Sequence, residues 1–212
     1  MAVLAFAAAL GWAAWQTFPA TARVAVVCEP RCVGTNLSGR QLAQADFNHA
    51  DFTAADLRGA NLSQASLVLA VFRQALLREA NLQGADLSSA RFDGADLQRA
   101  NLAGATLRAT DLREADLRQA NLTAADLRAA VLNGARLERA ILENALLVDA
   151  QLVGANLQRA VLRNADLQGA NLRNADLRLA DLTGANLAGA DLAGALLPHN
   201  FLTVPLRNEG FP

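Results

Sequence analysis

The sequence predicts an all-β solenoid, and three observations lead to that prediction. Every fifth residue from Ala45 to Ala195 is alanine, with Thr110 as the only exception. Two residues after each of these positions stands a leucine or a phenylalanine, without exception from Phe47 to Leu197. The residue between the two columns is most often Asp or Asn. Together these observations indicate two apolar columns that face inward and one polar column that faces outward.

The five-residue period excludes a regular helix and a flat strand. An α-helix turns by about 100° per residue, so a five-residue step would spread the leucines around the whole helix. Strand alternation places Ala45 and Phe47 on one side, but three residues separate Phe47 from Ala50, which breaks the alternation. A chain that keeps both columns inside must therefore turn a corner in that gap. Repeated corners of one sense build stacked coils.

Glycine often stands immediately before the next alanine, as at Gly59, Gly84 and Gly104. Glycine tolerates the positive φ angles that tight turns require. We therefore expect the corner of each five-residue unit to lie at this position.

The pattern Ala-(Asp/Asn)-Leu-x-x, as in residues 55–59, resembles that of the pentapeptide-repeat proteins and extends over most of the chain. The resemblance implies a right-handed quadrilateral β-helix with four repeats in each coil, about eight coils, and short caps at both ends. A longer period is also visible in the residues themselves. The same position of the repeat is asparagine at 20-residue steps, at Asn61, Asn81, Asn101 and Asn121.

Four segments are predicted along the chain. They are a signal peptide or membrane anchor (1–22), an N-terminal cap with a cysteine pair (23–34), the β-helix (35–197) and a C-terminal cap or tail (198–212). Residues 1–22 carry no charged side chain, and Ala20 and Ala22 have the small-residue spacing of a signal-peptidase site. An uncleaved segment of this length would instead anchor the chain in a membrane. A misassigned start or a buried apolar cap would also account for this apolar segment.

Cys28 and Cys32 are the only cysteines. A zinc site would need two more ligands, and His49 and His199 lie far away in the sequence. In an exported protein the pair predicts a small disulfide at the start of the solenoid. The alternative is two free thiols near the first coil.

The sequence offers no arrangement typical of catalysis. The two histidines lie near opposite ends of the repeats, and no phosphate-binding loop or metal-ligand cluster is present. Leucine and alanine would fill the interior and leave no space for a cofactor. The net charge of −1 argues neither for a nucleic-acid binder nor for a strongly acidic surface. We therefore predict no enzymatic activity, no cofactor, no metal and no nucleic-acid partner.

Apolar residues at outward positions are the unusual feature, because the repeat normally places Asp, Asn or other polar residues there. They group most clearly at Ile141, Leu146, Val148, Val153 and Val161. Clustered apolar residues on a surface are typical of a contact site. We therefore predict that a protein partner, or a second copy of the chain, contacts this group.

These observations favour a non-enzymatic structural or protein-interaction module that is periplasmic, secreted or membrane-anchored. The resemblance also implies an alternative, a cytoplasmic DNA-mimicking binder of DNA gyrase or topoisomerase, because some pentapeptide-repeat proteins protect gyrase with a strongly negative rod. This chain lacks the excess of negative charge. Its residues 198–212 contain three prolines instead of the long C-terminal helix that such dimers use.

Overall fold

A computed structural model describes residues 31–199 and residue 201. These residues wind into a right-handed quadrilateral β-helix in which residues 20 positions apart pair in parallel. The first pair is Arg31 with Asp51, and the last is Asp176 with Leu196. Residues 31–190 make eight coils and residues 191–197 begin a ninth. The predicted fold is therefore confirmed.

The regular structure consists of very short elements. Each repeat contributes one residue to the parallel bridges with the neighbouring coils, and no α-helix or longer strand forms within residues 31–199. After the last bridged residue the chain makes a tight turn, in which the Phe201 N–H donates to the carbonyl oxygen of Pro198 at 3.0 Å. The described part contains no helix with the length and apolar character that crossing a bilayer demands.

One repeat illustrates the positions that recur around every coil. Asp56 occupies the bridge position, Leu57 the central position, Arg58 the first turn position, Gly59 the second turn position and Ala60 the small inward position. The Ala60 N–H donates to the carbonyl oxygen of Leu57 at 3.0 Å and closes the turn. The second turn residue has a φ of 62°, which is the signature of a type II turn.

The corner lies where the glycines predicted it, but glycine is not obligatory there. Every second turn residue from Gly34 to Gly194 has a φ between 52° and 72°, including many residues with a side chain, such as Gln64 and Leu69. The cooperative stacking of coils therefore imposes the left-handed backbone even where it is intrinsically unfavourable.

Three backbone hydrogen bonds per repeat join neighbouring coils. The Leu57 N–H donates to the carbonyl oxygen of Leu76 at 2.7 Å, and the Gly59 N–H donates to that of Arg78 at 2.9 Å. The Asp56 N–H donates in the opposite direction, to Thr35 at 3.0 Å. Stacking thus satisfies the backbone groups that short bridges would otherwise leave unpaired.

The central and small inward positions form one continuous core. Almost every leucine and alanine of the two columns between residues 45 and 187 is fully buried. In the N-terminal half, the rings of Phe52, Phe72 and Phe92 stack on consecutive coils with centroid distances of 4.9 and 4.5 Å. Phe47 meets Phe52 edge-on at 5.1 Å. The predicted inward columns are confirmed.

The coil arrangement already begins at Arg31, within the segment 23–34 that the sequence assigned to a cap. The Cys32 N–H donates to the carbonyl oxygen of Asp51 at 2.7 Å, and the Cys32 side chain is buried at the central position. Cysteine behaves as a small apolar residue when buried, so it can stand in for leucine here. Cys32 is not a free thiol. Cys28 and the predicted segment 1–22 lie outside the described residues, so the Cys28–Cys32 bond stays a prediction.

Candidate interaction surface

The four repeats of a coil point to four sides, which sort the outward side chains into four faces. Bridge residues at 20-residue steps define face 1 (Arg31 to Asp191), face 2 (Asn36 to Leu196), face 3 (Gln41 to Asp181) and face 4 (Asp46 to Asn186). The turn residues that follow each bridge residue belong to the same face. Because the interior is filled, any contact that the described residues make with another molecule uses one of these faces or an end of the solenoid.

Face 2 is covered by paired charges. Asp116 lies 2.6 Å from Arg118 and 3.4 Å from Arg136, measured between carboxylate oxygen and guanidinium nitrogen. Further along, Arg178 pairs with Asp176 at 2.6 Å. The hydrogen bond from Arg178 is the main cause that lowers the pKa of Asp176 below its ordinary value. These carboxylates are therefore ionised and already occupied.

Faces 1 and 4 repeat this pattern. On face 1, Arg73 pairs with Asp93 at 2.7 Å on the next coil. On face 4, Asp126 accepts hydrogen bonds from Arg128 at 2.9 Å and from Arg108 at 2.5 Å. These bonds, that of Arg128 first, lower the pKa of Asp126 despite partial burial, which alone would raise it. Exposed pairs of this kind contribute little to stability. They occupy many of the charges, although Asp46, Asp86, Asp149 and Asp166 on face 4 have no arginine partner among the described residues.

Face 3 differs because residues 41–44, 61–64, 81–84, 101–104 and 121–124 include no charged side chain. Its bridge residues form an amide ladder, defined here as Gln41, Asn61, Asn81, Asn101 and Asn121. Each asparagine Nδ2 donates to the side-chain oxygen of the preceding member at 2.9 to 3.3 Å. The same asparagine oxygens accept backbone N–H groups, as from Ala103 to Asn101 at 3.2 Å.

The amide ladder ends where two apolar residues take over the column. Ile141 pairs with Asn121 on one side and with Val161 on the other. The Ile141 side chain is 40% exposed, and Val161 is half-buried. Ile141 and Val161, called the apolar pair below, thus continue the uncharged column of bridge residues on face 3, although the turn residues that follow them include Glu143 and Arg163.

The structure divides the five outward apolar residues that the sequence grouped together. Ile141 and Val161 lie side by side on face 3, Leu146 and Val148 lie on face 4, and Val153 lies on face 1. The reason is geometric, because five residues along the chain correspond to a quarter turn around the solenoid. Only the apolar pair is brought together on one face of neighbouring coils.

Sequence reasoning missed two residues beside this pair. Arg139 and Arg159 occupy the second turn position at the corner between faces 2 and 3, each two residues before a member of the apolar pair. Both side chains are exposed. Their 20-residue separation was visible in the sequence and could have placed them on neighbouring coils at one corner.

The C-terminal end of the solenoid has a shallow cavity of about 430 Å³, lined in part by Leu179, Asp181, Pro198 and His199. The carboxylate of Asp181 is already engaged by the Thr183 hydroxyl at 2.7 Å and by Arg163 at 2.6 Å. Among residues 31–199 and 201, no group of three or more His, Cys, Asp or Glu side chains could hold a metal ion. The cavity therefore offers no assembled catalytic or metal centre.

Comparison with known proteins agrees with this architecture. The family model for pentapeptide repeats (8 copies) matches residues 31–67, 55–94, 90–128, 125–164 and 160–197. The chain belongs to the pentapeptide-repeat family. No curated protein gives a significant match over its sequence.

Several solved pentapeptide-repeat structures are similar to this chain. One is HetL, involved in heterocyst differentiation regulation, from the cyanobacterium Nostoc sp. strain PCC 7120, with 36% identity over 78% of this chain and 82% of HetL and a TM-score of 0.42. A trypsin-treated form of QnrB1, a plasmid-mediated fluoroquinolone resistance protein, has 22% identity over 82% of this chain and 90% of that protein, with a TM-score of 0.43. A pentapeptide-repeat protein from the thylakoid lumen of Arabidopsis thaliana has 25% identity over 63% of this chain and 68% of that protein, with a TM-score of 0.24.

Proposed function

We propose that this pentapeptide-repeat protein is a non-enzymatic binding module that contacts a protein partner through face 3, at Ile141 and Val161. One observation carries the proposal: the apolar pair replaces asparagine in a column where asparagine already forms a regular ladder. The fold does not demand these apolar residues, because an asparagine at residue 141 could donate to Asn121 as Asn121 donates to Asn101.

Contact with a partner explains why apolar residues stand there. Burial of apolar area gives roughly 25 cal/mol per Å² removed from water, and Ile141 still exposes 40% of its surface. On the other faces, a partner would first have to desolvate charge pairs such as Arg118–Asp116. Face 3 carries one such pair next to the apolar pair, Arg163–Asp181, and no charged side chain along the amide ladder, which supports it as the docking side.

The paired carboxylates also support this function over the DNA-mimicking alternative. A duplex mimic must present an array of free negative charges, whereas Asp116, Asp126 and Asp176 are each held by arginine. A gyrase supercoiling assay tests that alternative directly. We expect no inhibition and no protection at stoichiometric protein.

The proposal is tested by photo-crosslinking in the producing cell, with the crosslinking side chain at residue 143 on face 3. Ile141→Asn with Val161→Asn should abolish the partner adduct while leaving the fold intact. The matched control is Leu76→Asn with Val71→Asn, which also replaces two apolar bridge residues by asparagine. Leu76 lies on face 2, where it is 38% exposed, and Val71 lies on face 1. The control should leave the adduct unchanged. An adduct that survives in both variants, or is lost equally in both, contradicts the proposed role of face 3.

A further inference from the structure

We infer that the partner segment that docks on the apolar pair is acidic as well as apolar, because Arg139 and Arg159 form a free cationic edge beside it. The inference rests on the proposed function and names the chemistry of the partner. Arg139 lies two residues before Ile141, and Arg159 lies two residues before Val161, so the two rows run in parallel on neighbouring coils.

These two arginines are unlike most of the others. Arg99 occupies the same corner position two coils earlier, where it donates to Gln119 at 3.1 Å and lies 3.4 Å from Glu79. Within residues 31–199 and 201, the side chains of Arg139 and Arg159 take part in no hydrogen bond or ion pair. At this corner, therefore, Arg99 is ion-paired, whereas Arg139 and Arg159, which lie beside the apolar pair, are not.

No carboxylate of the described residues pairs with Arg139 or Arg159. Glu138 lies 3.8 Å from Arg136 and accepts a hydrogen bond from Asn156 at 3.1 Å. Asp181, which follows Val161 in the same column, is held by Arg163 at 2.6 Å. Glu143, whose side chain forms no ion pair or hydrogen bond within residues 31–199 and 201, raises the pKa of the same Arg163. The two sides of the apolar pair thus differ, with the unpaired Arg139 and Arg159 at the corner with face 2, and with Glu143 beside Arg163 on face 3.

Two unpaired guanidinium groups on neighbouring coils repel each other, since stacked backbones lie about 4.8 Å apart. A carboxylate between them would relieve that repulsion, and guanidinium groups bind carboxylates in a bidentate fashion. A leucine-like side chain next to that carboxylate would reach Ile141 and Val161 across the corner. The surface therefore fits a protein segment in which acidic and apolar residues stand side by side.

Other anionic partners fit less well. Nucleic-acid binding typically uses about 6–10 phosphate contacts, and recognition of anionic lipid typically uses about 4–8 clustered Lys or Arg. Arg139 and Arg159 together supply two positive charges, which is fewer than either kind of partner uses, and the whole chain has a net charge of −1. The apolar pair would also remain exposed beside a phosphate backbone. A protein segment with acidic and apolar residues can contact both the two arginines and the apolar pair.

The test uses three soluble peptides in which glutamate, glutamine or lysine flanks leucine, titrated into the full chain and followed by NMR. The glutamate peptide should bind, and binding should weaken as salt is raised. Arg139→Gln with Arg159→Gln should reduce the affinity by roughly fivefold to tenfold, as expected for the loss of two exposed charge contacts. The matched control, Arg113→Gln with Arg173→Gln, removes ion-paired arginines of face 1. It should change the affinity by less than about twofold.

The possible results separate this inference from the proposed function. If the glutamine peptide binds as tightly as the glutamate peptide and Ile141→Asn with Val161→Asn abolishes both, the surface binds apolar segments and the acidic preference is wrong. If duplex DNA or anionic vesicles bind through Arg139 and Arg159 while the glutamate peptide does not, the partner class is wrong. If no peptide binds, the inference is overturned, whereas the crosslinking result at face 3 still decides the proposed function.

Discussion

The hydroxyl of Thr110 donates a hydrogen bond to the carbonyl oxygen of Leu87 on the preceding coil, at 2.8 Å. Thr110 is fully buried and is the one residue of the small inward column from Ala45 to Ala195 that is not alanine. The same carbonyl oxygen accepts the Ala90 N–H at 3.0 Å, so both of its lone pairs are used. The only polar side chain in the described core is therefore satisfied.

Thr110→Val should lower the free energy of unfolding by about 0.5–1.5 kcal/mol, the net value of one hydrogen bond. The loss stays small because the Ala90 N–H still occupies the Leu87 oxygen. Urea denaturation measures the effect, and Thr110→Ser, which keeps the hydroxyl, is the control. A valine variant as stable as the original chain would show that the hydrogen bond contributes nothing.

Leu117→Ala should destabilise the solenoid by about 2–5 kcal/mol, because it removes a fully buried side chain from the close-packed core. Arg118→Ala, one residue later, should cost no more than about 1 kcal/mol, since the arginine pairs with Asp116 on the surface. Thermal or denaturant unfolding compares the two variants. Equal losses would contradict the assignment of inward and outward positions.

Gly104 and Ala124 occupy the second turn position of face 3 on neighbouring coils, with φ angles of 64° and 55°. Gly104→Ala should cost roughly 1 kcal/mol, because the left-handed backbone disfavours a Cβ, although no atom lies within 4 Å of it. The reverse substitution, Ala124→Gly, should not lower the free energy of unfolding. If the two substitutions shift the unfolding midpoint in the same direction, backbone strain does not determine the preference at this corner.

Acid should remove the stabilisation that Asp126 provides. Its folded pKa lies below its ordinary value because Arg128 and Arg108 donate to the carboxylate, whereas the unfolded pKa is about 3.9. The contribution is therefore complete above that pH and is lost as the pH falls through the lower, folded pKa. In denaturation at a series of pH values, the stability advantage over Asp126→Asn should shrink below about pH 4. If the original chain instead became more stable relative to Asp126→Asn as the pH fell, this explanation would be wrong.

Cys28 and Cys32 should be joined by a disulfide in protein isolated from its own compartment. Cys32 is buried at the start of the first coil and is not a free thiol, and the sequence offers Cys28 as the only other cysteine. Intact mass under non-reducing conditions should be lower by two hydrogens than after reduction. Alkylation of both thiols without prior reduction would count against the bond and against the predicted export.

The backbone was predictable because each repeat position has its own requirement. Alanine and leucine mark the two inward positions, and glycine marks the corner even though Gln64 and Leu69 also occupy it. The charge pairs were harder to predict. Arg78 pairs with Asp96 on the next coil, whereas Arg58 pairs with Asp56 within its own repeat. That choice depends on side-chain conformation, which a single sequence does not reveal.

The same limit explains the interaction surface. Ile141, Leu146 and Val153 are close in sequence, but quarter turns place them on three faces. The important neighbours of Ile141 are instead Val161, one coil later, and Arg139, across one corner. Glu138, the carboxylate next to Arg139 in the sequence, accepts a hydrogen bond from Asn156 and lies 3.8 Å from Arg136 instead of pairing with Arg139, and only the structure shows that choice.

The register of 20 residues per coil restricts how this protein can change in length during evolution. Loss of one repeat would preserve both inward columns, so the fold would survive. If the lost repeat lay between Asn121 and Ile141, every later side chain would nevertheless move to the adjacent face, and Ile141 and Val161 would no longer continue the column of Asn121. Only the gain or loss of a complete coil preserves each surface. Inherited insertions and deletions between residues of one binding surface should therefore come in multiples of four repeats.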